Sequence, residues 1–204
     1  MMNTADTFDN KLEPIKEIHG SDKKPASPLA MGAGHINPNM ALDPGLIYDI
    51  TAEDYVRLLC GLNYTMKQIQ KIKRLCAHDC SNPSLDLNYP SFIAFFNDND
   101  SSLGTEIVQE FHRTVTNVGE GRSHYIAKLD PMPGFQVKVV PKELKFNQLY
   151  EKKSNKLSLK GPRLMKEVVG HGSLSWVDVE GKHVVKSYSG HQTQLKTFIR
   201  KRKS

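Results

Sequence analysis

Hydrophobic and polar residues follow two different periods along the chain, and the change falls near Leu87. Before this point, apolar residues recur every three or four positions in two short stretches, which is the spacing of amphipathic helices. After it, apolar and polar residues alternate with a period of two, which is the pattern of half-buried β-strands. The pattern therefore predicts a short helical region followed by a β-rich region.

Two helices are predicted in the first region. Thr51 and the acid at Asp54 have the spacing of a capping box, and the helix that they start continues to about Leu59. A second helix follows Thr65, and its basic side chains are interpreted as a solvated face. The apolar positions of this helix recur at intervals of three, at Met66, Ile69, Ile72 and Leu75.

Seven or eight short strands are predicted in the second region, because each alternating run ends in residues that favour turns. This count over about 100 residues indicates a mainly β fold, an antiparallel β-sandwich of the immunoglobulin or fibronectin III kind. Trp176 is expected in its core. The runs are Phe92 to Phe96, Ile107 to Thr116, Tyr125 to Leu129, Phe135 to Val140, Leu144 to Phe146, Leu157 to Leu159, Leu174 to Val177 and Val184 to Lys186.

Composition narrows the class of protein. The 204 residues are 38% hydrophobic and 25% charged, as in ordinary globular proteins, and no apolar run is long enough to span a membrane. The first residues, Met1 to Asp6, do not have the pattern of a signal peptide. The net charge of +6 lies mostly after Tyr188, in a basic end that includes Arg200 to Lys203 and could contact nucleic acid weakly.

Few residues have the spacing of a catalytic or metal site. Cys76 to Cys80 offers two sulfurs and one imidazole, which is short of the four ligands of a structural zinc site, so no metal or cofactor is predicted. His171 to Ser173 is interpreted as a turn beside a strand. Asn63 and Asn99 begin acceptor sequons for N-glycosylation, whereas Pro83 blocks a third sequon at Asn82.

Six longer segments of the chain allow a comparison with a known family. They are Met1 to Asp6, Ser27 to Pro38, Leu42 to Asp49, Asp86 to Ser91, Arg113 to Gly119 and Gly172 to Asp178. These segments resemble the plant subtilases, which are secreted serine endopeptidases related to subtilisin. The resembling segments occur in the order that the family has, over about residues 1 to 187. Small residues over 28–49, including Gly32, Gly34 and Gly45, suit a backbone packed closely against something larger.

The resemblance implies a C-terminal part of such a protease, with four parts. These are a remnant of the catalytic domain at 1–50, a helical linker at 51–86, a fibronectin III-like sandwich at 87–187 and a divergent basic tail at 188–204. After Ser187 the chain departs from the family, so we expect the last strand to be lost or altered and a sheet edge to be exposed.

The resemblance also implies proteolysis in the full-length family, but the subtilisin triad of aspartate, histidine and serine comes in that chain order. A chain that begins after the serine lacks all three, and none of their sequence contexts is present. We therefore expect no catalytic residue here and a stabilising or interaction role. The alternatives are an independent interaction module or decoy that binds proteases or their substrates, and nucleic-acid binding through the basic tail.

An extracellular location is implied by the family, and oxidised cysteines are favoured there. On that basis Cys60 is paired with Cys80, while a pairing of Cys60 with Cys76 stays open. The expected partners are the missing catalytic domain, related subtilases and protein substrates, with no membrane contact.

Overall fold

The computed structural model describes residues 1–18, 23–73, 80–95, 106–162 and 169–192. Its first part contains a short 3-10 helix at Met2–Thr4, followed by α1 (Pro28–Met31), α2 (Pro38–Leu42), strand β1 (Leu46–Tyr48), α3 (Ala52–Gly61) and α4 (Met66–Lys73). Its second part contains β2 (Ser91–Phe95), β3 (Glu106–Asn117), β4 (Ser123–Asp130), β5 (Gln136–Val140), β6 (Glu143–Phe146), β7 (Lys152–Pro162), β8 (Val169–Asp178) and β9 (Val184–Gln192).

Within the described residues the strands form two sheets, in the orders β1-β3-β7-β5 and β2-β9-β8-β4-β6. Buried residues of both sheets share one core, in which Trp176 and Leu157 have no exposed surface. The rings of Phe92 and Phe111, one from each sheet, meet edge to face with centroids 5.7 Å apart. The predicted sandwich and the core position of Trp176 are therefore confirmed. Six of the eight predicted runs lie within strands, Phe135 precedes β5 by one residue, and Phe96 lies outside the described residues.

The sandwich departs from the prediction in one pairing. Strand β2 runs parallel to β9, with Ser91 opposite Tyr188, while the other strand pairs are antiparallel. A parallel neighbour is possible because β2 is separated from β9 by the whole sandwich sequence and not by a hairpin turn. Strand β9 consequently has a partner on each side.

The expectation that the last strand is lost after Ser187 is wrong. Residues 188–192 continue β9, where they pair with β8 on one side and β2 on the other. The alternation after Ser187 is weakened by Gly190, so the extended conformation there depends on these two neighbours. Residues 193–204, which carry the basic charges of the predicted tail, lie outside the described part.

Two further boundaries differ from the sequence interpretation. Strand β1 lies in the part assigned to the catalytic remnant, yet it pairs with β3, with Leu46 opposite Asn117. His171 to Ser173 lie within β8 and not in a turn, because their backbones pair with Tyr188 to Gly190. The sandwich therefore begins before the helices in sequence.

The helical part follows its predicted caps. The Thr51 hydroxyl accepts from the amide of Asp54 at 3.3 Å, and the Asp54 carboxylate accepts from the amide of Thr51 at 2.9 Å, so the capping box is confirmed. Thr65 and Gln68 form the same reciprocal arrangement at the start of α4. Ile69 is buried with residues of α3, but Ile72 is exposed, because this two-helix unit covers only the centre of α4. No described helix is long and apolar enough to cross a membrane.

Replacing Leu157 by alanine tests the shared core. Leu157 has no exposed surface and lies opposite Phe111 and Val139 on the neighbouring strands. We expect the substitution to lower the free energy of unfolding by about 2 to 5 kcal/mol, because it leaves a cavity. The measurement is denaturant unfolding, monitored by the fluorescence of Trp176.

The matched control is Val108→Ala, because Val108 lies on the same sheet and is half exposed. For this variant we expect a loss of about 0.5 kcal/mol or less in the free energy of unfolding. Equal losses for the two variants would contradict this core.

Candidate functional site

The segment at residues 43–49, called here the anchored segment, lies along the edge of β3 and connects the N-terminal part to the sandwich. Its first turn needs glycine at position 45, where φ is +70°. A Cβ atom at Gly45 would lie 2.6 Å from the hydroxyl of Tyr125 and 2.7 Å from the ring of His183. The backbone of the segment therefore rests directly on two side chains of the sandwich. The prediction of close backbone packing at this glycine is confirmed.

Backbone hydrogen bonds hold the anchored segment on both sides. The carbonyl of Gly45 accepts from the amides of Val118 at 2.9 Å and Gly119 at 3.1 Å. The carbonyl of Leu46 accepts from the side-chain amide of Asn3 at 2.7 Å. The Leu46 side chain has no exposed surface and belongs to the sandwich core. Burial of this segment is thus accompanied by satisfied backbone groups.

Two side chains at the end of the segment add polar contacts. The hydroxyls of Tyr48 and Ser187 are 2.8 Å apart, and burial raises the pKa of the Tyr48 phenol. The Asp49 carboxylate accepts from Thr116 at 2.6 Å and lies 2.8 Å from the ammonium of Lys152. Hydrogen bonds from Lys152 and then Thr116 lower the pKa of Asp49. Asp49 is consequently held as a carboxylate at neutral pH.

A polar cluster lies beneath the start of the segment. The imidazole Nε2 of His183 is 2.9 Å from Asp43, and Nδ1 is 3.9 Å from Asp178. His183 and Asp178 are both buried. Burial, together with the charges of Asp178 and Asp43, raises the pKa of Tyr125 to about 12. The Tyr125 phenol beside Gly45 therefore stays protonated.

Residues 86–91, called here the linker segment, form a second connection into the sandwich. Arg113 holds this segment. The Arg113 guanidinium donates to the carbonyls of Tyr89 at 2.9 Å and Ser91 at 2.8 Å, and it also donates to the Asp86 carboxylate. Its carbon lies 4.6 Å from the centre of the Phe92 ring. The side chain is almost fully buried, so these contacts compensate for its desolvation.

Asn88 connects the linker segment to the anchored segment. Its side-chain nitrogen donates to the carbonyls of Asp49 and Thr114, both at 2.9 Å, and its side-chain oxygen accepts from the amide of Thr114 at 2.8 Å. The tertiary structure therefore brings together three of the resembling segments, which lie at Leu42 to Asp49, Asp86 to Ser91 and Arg113 to Gly119.

An open cleft of about 510 Å³ lies beside this junction. Three carboxylates line the cleft, and each one already has a partner. Asp49 contacts Lys152, Asp54 accepts from Thr51, and Asp86 accepts from Arg113. Among the described residues there is also no group of three or more ligating side chains placed to hold a metal ion. These carboxylates serve as structural acceptors.

The predicted disulfide partners are joined in the structure. The sulfurs of Cys60 and Cys80 are 1.96 Å apart, and they connect the end of α3 to the chain that follows α4. Asn63 is exposed just after α3, with φ of +61°. Cys76 and the second predicted sequon residue, Asn99, lie outside the described residues.

The serine of His171 to Ser173 has a structural partner. The hydroxyl of Ser173 donates to the carboxylate of Asp130, and Ser173 is almost fully buried. Ser173 and Asp130 also lie opposite each other in the register of β8 and β4. This hydrogen bond therefore connects two neighbouring strands.

The N-terminal part has a different surface from the sandwich. The four most exposed large hydrophobic side chains in the described chain all lie within its first 42 residues, with 72% to 97% of their surface exposed. Exposed apolar residues are common singly, whereas contiguous apolar patches mark interaction surfaces. We call this group the N-terminal apolar surface, and it consists of Met1, Leu12, Ile18 and Leu42.

Sequence reasoning did not identify the buried polar groups of this junction. One signal was available, because Arg113 occupies an inward position between Phe111 and Val115 in the alternating pattern of β3. A basic residue at a core position predicts a buried partner. No comparable local signal marks the contact between His183 and Asp43, since Asp43 lies far from His183 in the sequence.

Comparison with known proteins identifies the family of the sandwich and several relatives of the chain. Residues 86–188 match the fibronectin type-III domain family. Over 188 residues, 92% of this chain, it is 47% identical to subtilisin-like protease SBT3 of Solanum lycopersicum. It is 44% identical over 154 residues, 74% of the chain, to subtilisin-like protease SBT1.9 of Arabidopsis thaliana. The matched regions are 24% and 20% of those proteins, so the chain spans about a quarter of their length or less.

The chain also matches a solved structure weakly. The FixG-related protein from Vibrio parahaemolyticus aligns with a TM-score of 0.36 and 12% identity, covering 44% of this chain and 82% of that one.

Replacing Asp49 by asparagine tests the anchored segment through pH. Because the folded pKa of Asp49 is lowered, its contribution to stability is present above the ordinary value of 3.8 and is lost as pH falls through the lowered value. We expect Asp49→Asn to be less stable than the wild type at about pH 6, with a smaller difference at about pH 3. Denaturant unfolding at both pH values measures this, with the exposed Glu120→Gln as control. A difference that is unchanged between the two pH values would refute the role of this carboxylate.

Proposed function

This chain belongs to the plant subtilisin-like protease family and carries its fibronectin type-III domain, and we propose that it is a non-catalytic C-terminal part of a serine endopeptidase of that family. In this role the sandwich supports a catalytic domain mechanically and contributes no group to peptide hydrolysis. The observation that carries the proposal is the anchored segment, which joins the N-terminal part to the sandwich core through Leu46.

The junction is suited to a supporting role because buried contacts and hydrogen bonds connect its parts. Leu46 is in the core, Arg113 binds the linker segment, and Asn88 connects the linker and anchored segments. Hydrogen-bonded polar networks make such a junction stiffer, so one part of the chain holds the orientation of the other. On this proposal, the sandwich fixes the orientation of the polypeptide that leads into it.

The proposed partner is the rest of a subtilisin-like protease. The relatives are about four times as long as the matched region, and the N-terminal apolar surface would lie against the additional protein. Leu12, Ile18 and Leu42 would lose their exposed surface in that contact. Burial of such side chains contributes about 1.5 to 3 kcal/mol each when it is complete.

We also propose that the chain is a secreted glycoprotein. The disulfide between Cys60 and Cys80 suits an oxidising compartment, where N-glycosylation also occurs. Asn63 is the acceptor supported by exposure, three residues from Cys60. A glycan there would extend from the helical part.

The non-catalytic role is tested by active-site labelling. The 204-residue chain is incubated with a fluorophosphonate probe and, separately, with a fluorogenic peptide, beside the intact tomato relative as positive control. We expect no labelling and no hydrolysis, because Ser173 is buried and its hydroxyl donates a hydrogen bond to Asp130. Labelling of the chain that disappears in Ser173→Ala would overturn the non-catalytic role.

The partner is tested with the N-terminal apolar surface. The tomato relative lacking its matched region is mixed with this chain, and association is measured by light scattering. We expect binding that falls by about tenfold or more when Leu12, Ile18 and Leu42 are all replaced by serine. The matched control replaces Leu85, Val108 and Val179, which are exposed elsewhere, and should bind normally. Equal loss in both triple variants, or no association at all, counts against this partner.

A further inference from the structure

The edge of β3 that receives β1 has the features of a peptide-binding groove. Within the described residues, β1 is the outermost strand of its sheet and pairs only with β3, over Val115 to Asn117. Its three residues lie far from β3 in sequence, and α3 and α4 come between them. An extended segment added to the edge of a sheet is a recurring mode of peptide recognition, in which the backbone gives affinity and side-chain pockets give specificity.

Four residues of the anchored segment contact different parts of the groove. Gly45 fits against Tyr125 and His183 without room for a side chain. Leu46 is fully buried in the core. The Tyr48 hydroxyl reaches Ser187, and the Asp49 carboxylate reaches Lys152. Four of the five positions from Gly45 to Asp49 therefore make contacts of their own.

We propose that this groove is a binding site for an extended Gly-Leu-Ile-Tyr-Asp segment of another polypeptide, and that residues 43–49 occupy it in cis. The partner that fits is a chain that carries this same segment, for which a second copy of the protein is the simplest source. The proposal does not depend on the non-catalytic supporting role proposed above, because it concerns only contacts between the segment and the sandwich.

The contacts themselves explain why occupation from another chain is possible. The hydrogen bonds from Val118, Gly119 and Asn3 go to backbone carbonyls, which every chain offers. Because residues 43–49 belong to the same chain as the groove, their effective concentration at the groove is high. They therefore exclude a free peptide as long as they fit the groove well. Weakening the attached segment should therefore open the groove to the same segment in trans.

The test uses the full chain and a fluorescein-labelled peptide with the sequence of residues 42–50. In Leu46→Asp, the attached segment carries a charge that cannot enter the core, while the groove is unchanged. Fluorescence anisotropy should show that the peptide binds this variant at least about tenfold more tightly than the wild-type chain. A peptide with Gly45→Ala is the matched control, and its binding should be at least about tenfold weaker, because its Cβ would meet Tyr125 and His183.

Folding of the variant is checked by far-ultraviolet circular dichroism and Trp176 fluorescence. If Leu46→Asp does not fold, Leu46→Ala replaces it, since this variant weakens the attached segment without burying a charge. Two results overturn the proposal. One is equal binding of the peptide to the folded variant and the wild type, and the other is equal binding of the control and natural peptides.

Discussion

Complete burial of Leu46 in the sandwich core positions the chain on both sides of it. A leucine reaches the core of another part of the chain only if its backbone is buried as well, and buried amide and carbonyl groups require partners. Here Val118 and Gly119 donate to the carbonyl before Leu46, and Asn3 donates to the carbonyl of Leu46 itself. The N-terminal part, the helices and the sandwich therefore meet at a single short strand.

Polar groups near this strand give the junction its geometry more than its stability. The guanidinium of Arg113 is buried, and removing this cation from water costs free energy that its partners largely return. The Arg113 guanidinium has a planar set of donors, which Tyr89, Ser91 and Asp86 accept from defined directions. An apolar core residue would allow the linker segment to shift, whereas this set of hydrogen bonds specifies one position.

The two parts of the molecule consequently suit different tasks. In the sandwich, large side chains such as Trp176 and Leu157 are fully buried, while the N-terminal apolar surface remains in solvent. The chain belongs to a family of much longer proteases. In such a protein, additional polypeptide would cover an exposed apolar surface of this kind. On the two proposals, the groove occupied by β1 and the N-terminal apolar surface hold polypeptide separately.

The sequence alone determined the local elements of this protein. A period of two with turn residues specified β2 to β9, and the capping residues Thr51 and Asp54 specified α3, because these signals act over a few neighbouring residues. Tertiary structure decided the rest. Strand β1 is too short for an alternation, and residues 188–192 are extended because they lie between two strands. The junction around Arg113 and His183 likewise unites distant residues, and pairing over such separations is set by the packing of the whole chain and not by any local pattern.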